Sequence, residues 1–389
     1  MRVALNLEQL LQHPPGGIGR YTAELARLLP LGDGTGEPIE LVTFVARHRR
    51  SAIARAVSNF GLVGIDPIRS PLPRPLLYDA WHLLGIPSVQ SMHSSLRALD
   101  VVHAPSVAVP PRSEAALVVT VHDAATVLLP ETFPRRGLIF HRRGMLAAHK
   151  RADLVIVSTH AAAEEVVAHS ELTMEQIRIV PHGTAQTVAG DGVVQAARST
   201  AGLAGHPYVL WVGTREPRKN LTALLDAFQA VVRAKDLPHR LAIVGPKGWL
   251  HADGDERRHA EALGDRVRFL GPVRADRLVA LYRGADLLAF PSLHEGFGLP
   301  VVEAMAQETA VLCSDIPVLR EVGGGAARYE NPTDPEAWGA ALVELLRDDT
   351  ARAELARAGK VRAADFAPER FVANTLAVYR EAIERRRSS

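Results

Sequence analysis

At 389 residues the chain exceeds the size at which one hydrophobic core usually stops growing, which points to two domains. Lysine plus arginine total 45 against 43 for aspartate plus glutamate, a formal charge of +2, so no polyelectrolyte partner is implied and nucleic acid is set aside. The single cysteine, Cys313, excludes an intrachain disulfide framework and a zinc site of several thiolates, and it suits a reducing cytoplasm.

The start, Met1-Arg2-Val3-Ala4-Leu5-Asn6-Leu7-Glu8, gains a carboxylate too early for a signal peptide, and no run of about eighteen apolar residues follows anywhere, so a soluble protein is expected. Short β-branched runs then alternate with helical patterns. Val3 to Leu7, Ile39 to Val45, Val101 to His103, Leu117 to Val121 and Leu154 to Val157 form a first set of strands, an alternation that argues for a parallel sheet with helical crossovers. After the first strand, Gly16-Gly17-Ile18-Gly19-Arg20-Tyr21 opens a helix through Leu29. These glycines stand too far beyond Leu7 for a nicotinamide dinucleotide fingerprint, leaving a turn with a helix start or a loop that meets a ligand.

Thr120-Val121-His122-Asp123 ends an apolar strand, where His122 either faces a ligand or is a satisfied structural histidine, and Asp123 either orients it or caps the next segment. The basic segment from Arg135 to Arg151 mixes cations with Leu138, Ile139, Phe140 and Met145, as an interfacial helix or an ordinary surface helix would. The apolar period lapses from Gly183 to Gly205, which reads as the junction between a domain over residues 1–190 and another over 191–367.

A second strand set follows at Tyr208 to Val212, Leu241 to Val244, Val267 to Leu270, Ala285 to Phe290 and Ala310 to Ser314. The first of these leads into Gly213-Thr214-Arg215-Glu216-Pro217-Arg218-Lys219-Asn220. Three cations before a helix oppose the macrodipole, so an arriving diphosphate is the economical reason for them. Asp253-Gly254-Asp255 offers two carboxylates on a polar turn, too few for a convergent metal site. After the strand to Phe290 come Glu295-Gly296-Phe297-Gly298-Leu299-Pro300 and Glu303. Two glycines and a proline suited to a first helical turn make a donor-lined helix start, with a carboxylate on each side able to grip hydroxyls. A last helix from about 368 to 386 is expected to return to the first domain.

Together these motifs resemble the retaining nucleotide-sugar glycosyltransferases of the GT-B fold, family four, over nearly the full length, and the resemblance is closest to mannosyltransferases. The most specific segment is Glu295 to Glu303, supported by Gly16 to Tyr21, Val121-His122-Asp123, Glu216 to Asn220 and Ser314-Asp315-Ile316-Pro317. The resemblance implies two Rossmann-like α/β domains of parallel sheet facing across a cleft. It implies that Glu295 bonds donor-sugar hydroxyls, that the backbone of Phe297, Gly298 and Leu299 faces sugar and phosphate, and that Glu303 holds the ribose. Lys219 with Arg215 or Arg218 would meet the diphosphate, Gly17 would approach it, and His122 would lie near sugar and acceptor.

The expected activity is metal-independent transfer of a hexose, with mannose from GDP-mannose first, to a sugar or lipid-linked acceptor. No cofactor is expected beyond the nucleotide-sugar substrate; segment 135–151 is the candidate for peripheral contact with the inner membrane face, an ordinary surface helix being the favoured reading. A UDP-hexose transferase, a sugar-nucleotide epimerase of the same architecture and a non-catalytic nucleotide-sugar binder are the rivals. The pattern departs from the family where Thr214 follows Gly213, and where Glu308 and Ala310 replace a common glycine and proline.

Overall fold

The computed structural model describes residues 1–13, 16–248 and 253–388. The chain divides into one unit of Met1–Leu128, Arg135–Gly183 and Pro368–Ser389, and another of Leu129–Pro134 and Thr184–Ala367.

In the first unit, β1 (Arg2–Asn6), β2 (Glu40–Val45), β3 (Ile68–Arg69), β4 (Val101–Ala104), β5 (Ala116–Thr120), β6 (Leu154–Val157) and β7 (Ile177–Ile179) form a parallel sheet in the order β3-β2-β1-β4-β5-β6-β7. Its central strands are apolar on both faces, as a sheet covered on both sides requires. Val3, Leu5, Val118 and Ile156 share a core with Tyr21 and Leu25 of the helix Gly16–Leu28 and with Phe371, Leu376 and Tyr379 of the helix Pro368–Ser388.

The second unit holds β8 (Tyr208–Val212), β9 (Arg240–Val244), β10 (Val267–Gly271), β11 (Leu287–Phe290), β12 (Val311–Ser314) and β13 (Arg328–Glu330), all parallel, in the order β10-β9-β8-β11-β12-β13. Residue alternation in β8 separates two cores: Tyr208, Leu210 and Val212 on one face, Val209 and Trp211 on the other. The helix Leu221–Arg233 covers the second face beside the helix Pro335–Arg347, and Gly339 allows them close approach, since a Cβ there would lie 3.0 Å from that of Ala230.

Three strands escape the sequence pattern: β3, β7 and β13. Each is a sheet edge of two or three residues, and Arg69, Arg178 and all of β13 are at least partly exposed, so no apolar run marks them. The expected lapse of periodicity before Gly205 is corrected as well, because the helix Asp191–Thr200 occupies it. Only Val194 and Ala197 of this ten-residue helix are buried, continued by Ala201, and Gly190 and Gly192 at its start read as a junction.

Candidate active site

The order of the second sheet sets β8 beside β11, with the chain leaving β8 toward β9 and leaving β11 toward β12. Open parallel sheets hold ligands outside the carboxyl ends of strands at such a switch point. The loops 213–220 and 291–298 emerge there.

Loop 213–220 is held by the backbone that follows β9. Gly213 N donates to Val244 O at 3.0 Å, Arg215 N to Pro246 O at 3.0 Å, and Gly248 N to Arg215 O at 3.1 Å. Gly245 makes this contact possible: its φ is 137°, and a Cβ there would fall 1.8 Å from the Gly213 oxygen. Asn220, left-handed at φ 53°, donates from Nδ2 to Pro291 O at 3.1 Å and Pro332 O at 2.7 Å, tying this loop to the one after β11. Leu293 N donates to Arg218 O at 2.9 Å to complete the tie.

Gly298 caps the helix Leu299–Ala306 at φ 93°, with Pro300 in the first turn. The left-handed φ demands glycine, and a Cβ at Gly298 would also displace the Leu319 side chain, whose Cδ2 would lie 2.5 Å away. The Phe297 ring turns into the core against Phe366. Leu299 is half-buried at the helix start. Glu303 is buried early in the helix and its Oε2 accepts a hydrogen bond from the Tyr282 hydroxyl at 2.8 Å. Glu308, just past this helix, sits at φ 57° and pairs with Arg283 at 2.8 Å; a left-handed residue explains why glycine is common there in the family it resembles.

Each of the three cations of loop 213–220, read from the sequence as partners of a diphosphate, has a carboxylate within the unit. Arg215 Nη1 lies 2.6 Å from Glu256 and its guanidinium covers the Phe269 ring at 5.1 Å. Arg218 reaches Glu216 at 2.8 Å, His294 O at 2.8 Å and Glu295 at 3.4 Å. Lys219 Nζ lies 2.5 Å from Glu295 Oε1 and 5.3 Å from the centre of the Phe290 ring. Burial is the reason: the Lys219 and Glu295 side chains are 13% and 8% exposed, and charges so withdrawn from water must be paired. Burial pulls the Lys219 ammonium below its ordinary value against the opposing pull of Glu295. Burial also raises the Glu295 carboxyl, but Lys219 and Arg218 outweigh it and leave the group below the usual carboxylate range. Arg218 therefore joins Lys219 at Glu295, while Arg215 is directed to Glu256.

In the first unit, Gly17 lies in the first turn of the helix Gly16–Leu28, and a Cβ there would meet nothing within 4 Å among the described residues. His122 donates from Nε2 to Pro105 O at 2.9 Å, and Asp123 Oδ1 caps the next helix by accepting from Ala125 N at 3.0 Å. The Tyr21 ring stands edge-on to His122 at 5.0 Å and His182 at 4.7 Å. Behind it runs a chain the sequence did not reveal: Tyr21 hydroxyl to Thr120 Oγ1 at 2.8 Å, Thr120 Oγ1 to His103 Nε2 at 2.8 Å, and His103 Nδ1 to Tyr379 hydroxyl at 2.6 Å. Tyr379 is too distant in sequence from His103 for spacing to have linked them. Burial lowers His122 and His182 from the ordinary histidine value and takes His103 to about 3.

The helix Arg135–Arg151 exposes Arg135, Arg136, Ile139, Arg142, Arg143 and Leu146 at helical spacing. Among the described residues no cluster of three or more metal-ligating side chains occurs, and the side chains of Asp253 and Asp255 lie outside them.

Residues 196–362 match the family model of glycosyl transferases group 1, and residues 15–185 match that of glycosyltransferase family 4. A D-inositol 3-phosphate glycosyltransferase of Salinispora arenicola is 30% identical over 91% of this chain and 76% of its own length. The chain belongs to these glycosyltransferases. The O-antigen chain mannosyltransferase B of Escherichia coli is 27% identical to this glycosyltransferase over 95% of the chain and 97% of the relative, which marks it as mannosyltransferase-like. The sucrose-phosphate synthase of Thermosynechococcus elongatus superposes with a TM-score of 0.70 at 21% identity, covering 98% of each chain. The two parallel-sheet units of this glycosyltransferase are those of the GT-B fold.

Proposed function

We propose that this glycosyltransferase moves a hexose with retention from a nucleotide diphosphate sugar to a sugar or lipid-linked acceptor, and that GDP-mannose is the donor. The observation that carries the reading is the convergence of Arg218, Lys219 and Glu295 beside the start of the helix that bears Glu303. Breaking the bond between anomeric carbon and phosphate oxygen leaves negative charge on the diphosphate. Lys219, Arg218 and the first N–H groups of the helix Leu299–Ala306 take up that charge, which makes a metal unnecessary. Glu295 binds sugar hydroxyls, and the backbone of Phe297, Gly298 and Leu299 borders sugar and phosphate. Glu303, oriented by Tyr282, holds the ribose. Gly17 serves the diphosphate, at a position where packing within the described residues does not ask for glycine. His122 serves sugar and acceptor, with Pro105 fixing its Nε2–H tautomer. The acceptor hydroxyl attacks on the face from which the diphosphate departs, and its proton passes to the leaving phosphate oxygen.

Mannose is favoured by the E. coli relative, which covers the whole length, and GDP by the resemblance of Glu216 to Asn220. A UDP-hexose is the second donor. The inositol-phosphate relatives favour a second acceptor class, a phosphorylated cyclitol. The helix Arg135–Arg151 contains no carboxylate, and its exposed arginines with Ile139 and Leu146 suit an anionic bilayer at the cytoplasmic face. Among the described residues no helix is long and apolar enough to cross it.

Incubation with GDP-, UDP- and ADP-sugars, with and without EDTA, tests the reading. Transfer or slow hydrolysis of GDP-mannose with the anomeric configuration kept, unchanged by EDTA, is expected; an altered sugar would identify an epimerase, and binding without turnover a non-catalytic binder. Glu303→Ala should weaken donor binding by about 2 to 3 kcal/mol, the loss of charge-assisted hydrogen bonds, in calorimetric titration.

A further inference from the structure

Arg218, Lys219, Glu216 and Glu295 form a buried cluster in which two cations meet two carboxylates. The partners are not equivalent. Arg218 retains Glu216 and the His294 carbonyl, each at 2.8 Å, whatever becomes of Glu295, which it touches only at 3.4 Å. Lys219 has its short contact with Glu295 alone among these carboxylates, at 2.5 Å. A diphosphate that draws Lys219 away therefore leaves Glu295 ionised and 8% exposed, held only by the long Arg218 contact and the neutral Ser292 hydroxyl. Uncovering a buried charge in this way is strongly unfavourable. A sugar attached to the diphosphate changes the balance, because its hydroxyls donate to the carboxylate that Lys219 vacates.

We infer that Glu295 makes the site select the intact sugar donor over the released nucleoside diphosphate, by competing with the diphosphate for Lys219. The inference rests on the donor reading above and adds a consequence to it. Donor binding exchanges one set of partners for another, with Lys219 passing to phosphate and Glu295 to sugar. After transfer the diphosphate has no hydroxyls for Glu295, so Lys219 returns to the carboxylate and the product is released. The residue that reads the sugar thereby also limits product inhibition.

The test is calorimetric titration of GDP, UDP, GDP-mannose and UDP-glucose into the wild type, Glu295→Gln and Glu216→Gln. With Lys219 released from its carboxylate, Glu295→Gln should bind the free nucleoside diphosphate about tenfold more tightly, while the sugar donor gains less or weakens. Selectivity for the donor over the diphosphate should collapse by at least that factor. Glu216→Gln removes the same charge from Arg218 but leaves the Lys219 contact, so its selectivity should stay within about twofold of wild type, a change too small to count against the scatter of such measurements. An unchanged affinity for the free diphosphate in Glu295→Gln, or an equal rise in Glu216→Gln, overturns the inference, and the donor reading stands if Glu295→Gln still weakens the sugar donor. Failure of the wild type and Glu295→Gln alike to bind any of the four compounds overturns both. Should Glu295→Gln not fold, as judged by thermal unfolding, Glu295→Asp replaces it, since the shorter side chain withdraws from Lys219 and should shift selectivity in the same direction.

Discussion

The ion-pair cluster that follows β8 and β11 and the hydroxyl–imidazole chain behind β5 are both buried and polar, and they hold their polarity in opposite ways. In the first, Lys219, Arg218, Glu216 and Glu295 keep full charges and cancel them pairwise. In the second, Tyr21, Thr120, His103 and Tyr379 share hydrogen bonds, with burial opposing protonation of His103. Cancelled charge can be exchanged when an anionic ligand arrives. A neutral chain has nothing to exchange and fixes geometry instead, here the Tyr21 ring against His122 and His182. Exchangeable charge thus lies in one unit and rigid placement in the other.

The largest effect should come from breaking the charged cluster on its cationic side. Lys219→Ala strands Glu295, so donor binding should fall at least 100-fold in titration, and unfolding should show a loss of about 3 kcal/mol, typical of breaking a buried pair. Donor affinity that survived this change would end the role given to the cluster. A smaller effect is expected from His122→Ala, where transfer should fall more than about tenfold with donor affinity within about twofold, the signature of a group that acts after donor binding. Equal losses in both would make His122 a structural histidine.

The smallest effect sharpens the neutral side of the comparison. His103 has its folded value lowered to about 3 from 6.5, so below about pH 6.5 the unfolded chain binds a proton that the fold refuses. Its contribution is therefore complete above pH 6.5 and is lost as pH falls, by up to about 1.4 kcal/mol per pH unit. Denaturant titrations between pH 7.5 and 5 should show this slope, and His103→Gln should reduce it by one proton's share, the remainder belonging to other histidines lowered by burial, His82, His122 and His182 among them. Glu295, held below its ordinary value, adds an acid loss only at lower pH, where carboxylates protonate.

Much of the loop 291–298 was legible because its signals are local. Gly298 must adopt φ 93° and Pro300 suits the first helical turn, so the helix start could be placed from the sequence, and the observed helix begins at Leu299. The central strands were legible for the same reason, since β6 and β8 are continuous apolar runs found where expected. Strands β3, β7 and β13 were not, because an edge needs few apolar residues. The helix Asp191–Thr200 was missed because it is short, buries only Val194 and Ala197 and starts among the glycines Gly190 and Gly192, which read as a junction.

The sequence alone determined the alternation of strands and helices, the family, and the identity of the residues around Glu295, because each depends on neighbours within a few positions. The choice of Arg218 over Arg215 as the companion of Lys219 was decided only by tertiary structure, since Glu256 draws Arg215 away from 41 positions along the chain and Glu295 draws Lys219 from 76. The partner of Glu303 and the chain from Tyr21 to Tyr379 were likewise set by packing. A buried charge or hydroxyl takes whichever complementary group the fold brings within hydrogen-bonding distance, and spacing along the chain does not encode that meeting.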